Sequence, residues 1–288
     1  MQQNPDIRAR YAREHIPNAV FYIPFTYYYV VRLGTFPKLL SWLLIYIMPT
    51  AFYSAFTYSG TPWPFIGNYL LTLIAAFSLY ELGYIANDTV AIRYEEQPAI
   101  RLYPHNFAHV DKYRIWIYLL RICYAVAAML FIPSLACQIA ILAILPIFAL
   151  YNRWRSHYNV LLYPFLVFSR YLPFMLIYDF DWLATLMLFL SFPLLNWLER
   201  FSMPRHRFPF MRILIPTEDS KTAFRVWYYA LILALCVVGF LLFSFDFQRS
   251  GLSTFSAAVF IPIILLFLYR LALLVILRYH HPKNYLNG

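Results

Sequence analysis

The sequence predicts an all-α, polytopic transmembrane helical bundle, and three observations support that fold class. Hydrophobic residues make up 62% of the 288 residues and charged residues only 12%, about half the charged share of a soluble domain. Apolar stretches long enough to cross a bilayer recur along the chain. The basic residues collect in alternate connecting segments. With so little polar material to cover a soluble core, lipid is the expected solvent.

Eight apolar stretches are expected to form spans. They cover residues 38–58, 64–86, 115–133, 134–151, 159–178, 182–199, 225–244 and 254–278. Proline, glycine or polar residues separate several of them, as in Thr61-Pro62-Trp63-Pro64, Pro133-Ser134, Asp179-Phe180-Asp181 and Ser250-Gly251. A ninth span within residues 18–31 is an alternative, although Pro17 and Pro24 interrupt that stretch. We expect residues 1–37 to lie in the cytoplasmic interface, 38–279 to form one membrane domain, and 280–288 to be a short tail.

The distribution of lysine and arginine tests this arrangement. With the N-terminus inside, the inner segments hold 19 of the 23 basic residues, and the outer loops contain Arg249 alone. This bias follows the positive-inside rule, so both termini are expected in the cytoplasm, most naturally at a bacterial inner membrane. The formal charge of +10 therefore indicates membrane topology, anionic lipid or a phosphorylated substrate, and no nucleic-acid partner is expected. The Tyr27–Tyr29 run is interpreted as part of an interfacial aromatic belt.

Ionisable residues cluster at the end of the second span. Glu81, Tyr84 and Asp88 are spaced to share one helix face. Glu81 falls inside the span, where a carboxylate is costly and usually faces a polar cavity or a partner. Two hypotheses remain open for Glu81: a functional site, or a structural ion pair with a buried arginine such as Arg121 or Arg170.

The segment that follows carries acidic and basic side chains in close sequence. Asp88 and Glu95 are seven residues apart, and Asn87 directly precedes Asp88. Carboxylates clustered with an asparagine favour Mg²⁺, which commonly bridges protein carboxylates to substrate phosphates. Arg93 and Arg101 have the chemistry to bind phosphate directly. The alternative is a solvated loop whose charges pair with each other.

The fifth span adds a second group of polar residues. Asn159, Tyr163 and Arg170 are spaced to share one face of a continuous helix. Arg155, just before this span, fits either substrate binding or topology control. At the end of the sixth span, Asn196 and Glu199 are one turn apart.

This arrangement resembles the UbiA superfamily of intramembrane prenyltransferases. The first family motif reads Asn-Asp-x-x-Asp-x-x-x-Asp after the second span. Asn87 and Asp88 match its first two positions and Glu95 its last, whereas Ala91 stands in place of the middle Asp. Pro98 and Arg101 follow, as in the family. Near the second acidic region of the family, after the sixth span, this chain has Glu199, Arg200, Glu218, Asp219 and Lys221.

The resemblance implies a helical bundle around a central cavity open to the cytoplasm, typically with nine spans. It implies a Mg²⁺-dependent transferase that moves a prenyl or phosphoribosyl-type group, with a prenyl diphosphate or polyprenyl phosphate as substrate in the lipid. The catalytic, metal-binding residues would be Asp88, Glu95, Glu199 and Asp219. The substrate-binding residues would be Asn87, Arg93, Arg101, Arg155, Tyr163, Arg170 and Lys221.

Two other classes of function remain open. A transporter or lipid-carrier flippase would use intramembrane charges as a path, with Glu81, Arg121, Arg170 and Arg270 as its lining. A non-catalytic subunit that scaffolds other membrane enzymes is the third hypothesis.

Overall fold

The computed structural model describes residues 16–94, 100–154, 157–203, 206, 208–217, 220–250 and 257–280, with side chains for all of these except 157, 242–250, 257 and 280. This part of the chain is all-helical. Its α-helices are α1 (Phe36–Phe56), α2 (Pro62–Thr89), α3 (Pro104–Met129), α4 (Leu135–Arg153), α5 (Tyr163–Ser169), α6 (Trp182–Ser191), α7 (Pro193–Phe201), α8 (Ser220–Ser250) and α9 (Ile261–His280). A π-helical segment covers Tyr28–Leu33, and another lies within α1 at Leu43–Ile47. Short 3-10 helices cover Asn18–Phe21, Ala91–Tyr94, His157–Leu161, Leu172–Leu176, Pro209–Ile213 and Ala257–Phe260.

Helix starts follow from local sequence. Helices α1, α2, α3, α5 and α7 each have proline in the first turn, where its missing N–H costs no hydrogen bond. Ser134 caps α4, since its side chain accepts a hydrogen bond from the backbone N–H of Cys137 at 3.2 Å. Asp181 caps α6 through the N–H of Ala184 at 2.7 Å. The position of Asp181 is therefore explained by its role as the N-cap of α6.

Six helical segments are long and apolar enough to cross a membrane: Phe36–Phe56, Pro62–Tyr94, Leu135–Arg153, Trp182–Phe201, Ser220–Leu241 and Ala258–Tyr279. They correspond to six of the eight predicted spans. Large apolar side chains lie exposed on them, including Leu70, Leu135, Leu235 and Leu268. An apolar exterior of this kind fits a membrane-embedded protein, because lipid does not penalise it.

The other two predicted spans differ from a simple apolar helix. Helix α3 has the length to span, but Asp111, Lys112, Arg114 and Arg121 lower its hydropathy. The stretch 159–178, predicted as one continuous helix, consists of a 3-10 turn, α5 and a second 3-10 turn. Pro164 and Pro173 begin the second and third pieces, because proline cannot continue the hydrogen-bond ladder of the helix before it. Arg170 therefore lies at a break between helical pieces.

Helix α2 packs against α3 and α4, and α8 packs against α9. The main core is rich in aromatic side chains, and Tyr46, Phe77, Tyr171 and Phe174 are completely buried in it. The described part of the N-terminal segment packs into a second core with α2 and α3, where Phe21 and Tyr27 are completely buried. Segment 16–34 thus packs against the bundle, and its interfacial position in the membrane stays a prediction.

Candidate functional site

Asp88, the central residue of the predicted site, lies in the last turn of α2 and is completely buried. Its Oδ2 accepts hydrogen bonds from Tyr27 Oη at 2.8 Å and from Arg32 Nη2 at 2.5 Å. Its Oδ1 accepts from Arg101 Nη1 and from Asn87 Nδ2, each at 3.1 Å. The structure therefore brings together three of the predicted site residues, Asn87, Asp88 and Arg101, in an ion-pair network that also holds the N-terminal segment.

Glu199, the predicted residue of the second acidic region, is also paired. Arg225 donates to both of its oxygens, from Nε to Oε1 at 2.5 Å and from Nη2 to Oε2 at 2.8 Å. Lys221 Nζ lies 3.7 Å from Oε2. This fork geometry is the strong form of an arginine–carboxylate pair, and it ties α7 to the start of α8.

These contacts bear on the predicted Mg²⁺ site. Magnesium requires oxygen ligands in near-octahedral geometry. In the described part of the chain no three His, Cys, Asp or Glu side chains come together, and the oxygens of Asp88 and Glu199 face cationic side chains. The described residues therefore do not fit this ion in the arrangement seen. Glu95 and Asp219, the other two predicted ligands, and the predicted phosphate ligand Arg155 lie outside the described residues, so the magnesium site stays a prediction.

Glu81 has the structural partner that one of the two hypotheses expected. Arg121 Nη1 donates to Glu81 Oε2, and both side chains are completely buried. Glu81 also accepts from the backbone N–H groups of Phe25 at 2.8 Å and Tyr28 at 2.6 Å. Phe25 adopts φ +70°, a conformation that is uncommon outside glycine. The pair therefore fixes the path of the N-terminal segment.

Arg121 completes this clamp from α3. Its Nε donates to the carbonyl oxygen of Phe21 at 2.7 Å, and its Nη2 donates to those of Val20 and Ile23 at 3.0 and 3.1 Å. Every nitrogen of this guanidinium has an acceptor, as burial of a charge demands. Arg121 is a structural residue.

Arg93, a predicted phosphate ligand, lies at the surface instead. Its Nη2 contacts Asp111 Oδ2 at 2.6 Å, and Arg114 contacts the other oxygen at 2.6 Å. These hydrogen bonds and charges, with that from Arg93 the largest, hold the pKa of the Asp111 carboxyl below its usual value. Arg93 therefore forms a surface ion pair with α3, whereas the glutamates with which the solvated-loop alternative would pair it lie outside the described residues.

Arg170 has a different environment. It lines a cavity of about 260 Å³, which is bounded by the N-terminal segment, the first half of α1, the last turns of α2, α5 and the start of α7. Tyr163 and Asn196 line it too, and so does exposed Lys38. The aromatic part of the wall comprises Tyr28, Trp42, Tyr80, Tyr84, Tyr163 and Phe192. No carboxylate is among the described lining residues.

The guanidinium of Arg170 sits in a cage of tyrosine rings and is only 4% exposed. Its central carbon lies 5.2 Å from the ring centre of Tyr46, 5.1 Å from that of Tyr80 and 5.4 Å from that of Tyr171. Tyr46 Oη also donates to the backbone carbonyl of Arg170 at 2.8 Å. Among the described residues, Nε and Nη1 of Arg170 have no hydrogen-bond partner, and no carboxylate pairs with it.

Tyr163 and Asn196 are held in place beside the cavity. Asn196 Nδ2 donates to Tyr163 Oη at 3.1 Å, and the guanidinium of Arg200 lies 4.5 Å from the centre of the Tyr163 ring. Arg200 also donates to Tyr151 Oη at 3.0 Å. The sequence analysis grouped Tyr163 with Arg170 on the assumption of one continuous helix, and the helix is broken there. Both residues nevertheless line the same cavity.

Sequence reasoning missed several residues at these sites. Arg32 pairs with Asp88 and lies 4.2 Å from the centre of the Tyr84 ring, and Lys38 was read only as topology. Tyr28 lines the cavity and Tyr27 is buried, whereas Tyr29 is exposed as an interfacial belt residue would be. The available signal was Arg32, a basic residue shortly after the tyrosine run 27–29. The interpretation of that run as an interfacial belt gave Arg32 no role.

These contacts divide the predicted site into ion pairs that bind segments together and one cavity with an unpaired cation. No family model matches the chain, and neither a curated protein nor a solved structure is similar to it.

Proposed function

We propose that the protein is a multi-pass membrane transferase that acts on a phosphorylated, isoprenoid-type lipid. The observation that carries this proposal is the cavity next to Arg170, which combines an aromatic wall with a buried guanidinium that no described carboxylate pairs with. Ligand pockets have this character, mostly apolar with a few placed polar groups. The apolar chain of the lipid would lie against the bundle, with its phosphate-bearing end in the cavity.

In the proposed reaction, the bond between the donor carbon and a phosphate oxygen breaks, and the electron pair leaves with that oxygen. The acceptor nucleophile forms a new bond to the same carbon and releases its proton to solvent. Cationic groups stabilise the negative charge that develops on the leaving phosphate. Tyrosine ring faces stabilise positive charge on the donor carbon. A prenyl donor and a phosphoribosyl-type donor both fit this scheme, and the UbiA resemblance supports either one.

The charge distribution supports a location in a bacterial inner membrane with both termini in the cytoplasm. The cavity includes the first turns of α1 and the last turns of α2, the helix ends that this topology puts on the cytoplasmic side. Eight spans remain the proposed count, with α3 and the broken 159–178 stretch as the two beyond the six apolar helices.

The carrier hypothesis has weaker geometric support. It needs Glu81, Arg121, Arg170 and Arg270 to line one path, yet Arg170 is the one of these four that lines the described cavity. Glu81 and Arg121 are bound to each other. Charges closed off in an ion pair do not conduct a substrate.

The test is release of diphosphate or phosphate by purified protein in nanodiscs supplied with labelled geranylgeranyl diphosphate and an acceptor lipid mixture, or with phosphoribosyl diphosphate and polyprenyl phosphate. We expect release together with label in a new lipid product, and loss of both in Arg170→Met. Movement of intact labelled lipid across vesicles without any release would instead establish the carrier function.

A further inference from the structure

Two buried arginines, Arg121 and Arg170, differ in what their nitrogens contact. All three nitrogens of Arg121 donate to oxygen atoms. Nε and Nη1 of Arg170, which carry three of the five N–H donors of a guanidinium, have no acceptor among the described residues. Tyrosine rings offset part of the cost of burying this charge, but ring faces do not replace oxygen acceptors for in-plane N–H groups.

These donors are themselves buried, and the side chain that carries them lines the cavity. Arg170 lines the cavity, its guanidinium carbon lies 5.2 Å from the centre of the Tyr46 ring, and the Tyr46 hydroxyl donates to its backbone carbonyl. Lys38 lines the same cavity and is exposed, so the cavity leads from an accessible edge to a buried cation. With no carboxylate among the described lining residues, the site carries positive charge without a counter-ion from the described protein.

The charge of the ligand follows from this count. Arg170 and Lys38 supply two positive charges, and a phosphate monoester carries about −1.5 to −2 at pH 7. Its terminal oxygens are strong acceptors for a planar guanidinium. A carboxylate would satisfy one cation only, and a diphosphate would bring more negative charge than these two groups neutralise.

We propose that Arg170 and Lys38 form a binding site for a single phosphate monoester group, which they contact directly and without a divalent cation. Tyr28, Tyr80 and Tyr84 in the same wall supply an amphipathic rim against which an apolar chain packs. The phosphate belongs either to a lipid head or to a free phosphate. The inference rests on the proposed function in taking the same cavity as the substrate site, but it concerns binding and not turnover.

The experiment measures binding of farnesyl phosphate to the full-length protein in nanodiscs, in buffer with EDTA. We expect saturable binding that changes less than twofold when Mg²⁺ replaces EDTA. Arg170→Met should weaken it about 10- to 100-fold, as loss of a charged hydrogen-bond partner does. Lys38→Met, at an exposed position that does not endanger folding, should weaken it by a smaller factor. Arg93→Met removes a surface arginine with its own partner and serves as the matched control, with unchanged affinity.

Three further arms complete the test. Farnesol should not compete, because it lacks the anion, and farnesyl diphosphate in EDTA should bind more weakly than farnesyl phosphate. Inorganic phosphate that competes as well as farnesyl phosphate assigns the site to free phosphate, and weak competition assigns it to a lipid head. The proposal is overturned if EDTA abolishes binding, if farnesol competes equally, or if both Arg170→Met and Lys38→Met bind like the parent protein.

Failure of this inference and failure of the proposed function give different results. Farnesyl phosphate binding without any transfer activity on the full substrate panel keeps the anion site and rejects the transferase. Transfer activity that is lost in Arg170→Met but survives Lys38→Met, together with EDTA-sensitive binding of farnesyl phosphate, keeps the transferase and rejects the direct anion site.

Discussion

Arg121 and Arg170 are both buried in the bundle, and the contrast between them separates architecture from function. Arg121 pairs with Glu81 and donates to three backbone carbonyls of the N-terminal segment. Arg170 has aromatic rings around it and free N–H donors beside a cavity. A buried charge whose donors are satisfied stabilises one conformation, whereas one left unsatisfied is retained at a cost. Burial of a charge alone therefore does not identify a functional residue.

The largest effect is expected from breaking the satisfied pair. Arg121→Met leaves the Glu81 carboxylate buried without its partner and frees three carbonyls. We expect a loss of about 3–5 kcal/mol in unfolding free energy, seen as a large drop in the thermal unfolding temperature of the detergent-solubilised protein.

The matched control is the double variant Glu81→Gln with Arg121→Met, which removes both charges and should recover part of the loss. An unfolding temperature for Arg121→Met equal to that of the parent protein would contradict a structural role for this pair.

Replacing Asp88 should have an effect between those of replacing Arg121 and Arg170, and it also tests the magnesium prediction. Asp88→Asn keeps an oxygen acceptor but removes the charge that Arg32 and Arg101 share. We expect a loss of about 1–3 kcal/mol, and no change in unfolding temperature of the parent protein when Mg²⁺ is added. If Mg²⁺ stabilises the parent protein and not Asp88→Asn, Asp88 is a metal ligand in solution.

Replacing Arg170 should change stability little. Arg170→Met removes an unpaired buried charge together with its ring contacts, and these two effects oppose each other. We expect the unfolding free energy to stay within about 1 kcal/mol of the parent value. A loss as large as that of Arg121→Met would show that the guanidinium is mainly structural.

The smallest effect is expected at the surface pair of Arg93 and Asp111. Arg93→Ala should cost about 0.5 kcal/mol or less, as exposed ion pairs do. The pKa of the Asp111 carboxyl is lowered in the folded protein. The stability that the ionised carboxylate adds is therefore fully present above the ordinary pKa of aspartate, and it is lost as the pH falls toward the lowered pKa. The difference in unfolding temperature between the parent protein and Arg93→Ala should therefore disappear on acidification. A difference that grows at low pH would rule out this pairing.

The sequence predicted the parts of this molecule that depend on hydropathy and failed where partners are distant. Six of the predicted apolar stretches are long helices in the structure. Length and apolar composition, which can be read directly from the sequence, are enough to predict such helices. The position of Glu81 inside α2 indicated a costly charge with Arg121 or Arg170 as a candidate partner, and the fold shows that the partner is Arg121, 40 residues away on α3. The prolines at 164 and 173 lie at the breaks in 159–178, although the stretch is long and apolar enough to predict one continuous span.

The candidate site shows the same division. Asn87 and Asp88 are adjacent in sequence and Arg101 follows 13 residues after Asp88, so their association is a short-range one. Arg32 pairs with Asp88, and Lys38 lines the cavity. Arg32 is far in sequence from Asp88, and Lys38 is far from Arg170 in the same cavity lining, so no local sequence pattern predicts this arrangement. Whether an arginine is satisfied depends on acceptors from several elements, which only the three-dimensional arrangement defines.

The most direct test of the contrast is one ligand-induced stability measurement on matched variants. The unfolding temperature of the parent protein, of Arg170→Met and of the double variant Glu81→Gln with Arg121→Met is recorded with and without farnesyl phosphate in EDTA. Since a ligand stabilises the state that binds it, we expect a rise for the parent protein and the double variant and none for Arg170→Met. An equal rise in all three proteins, or no rise in the parent protein, would contradict the assignment of Arg170 as the anion-binding cation.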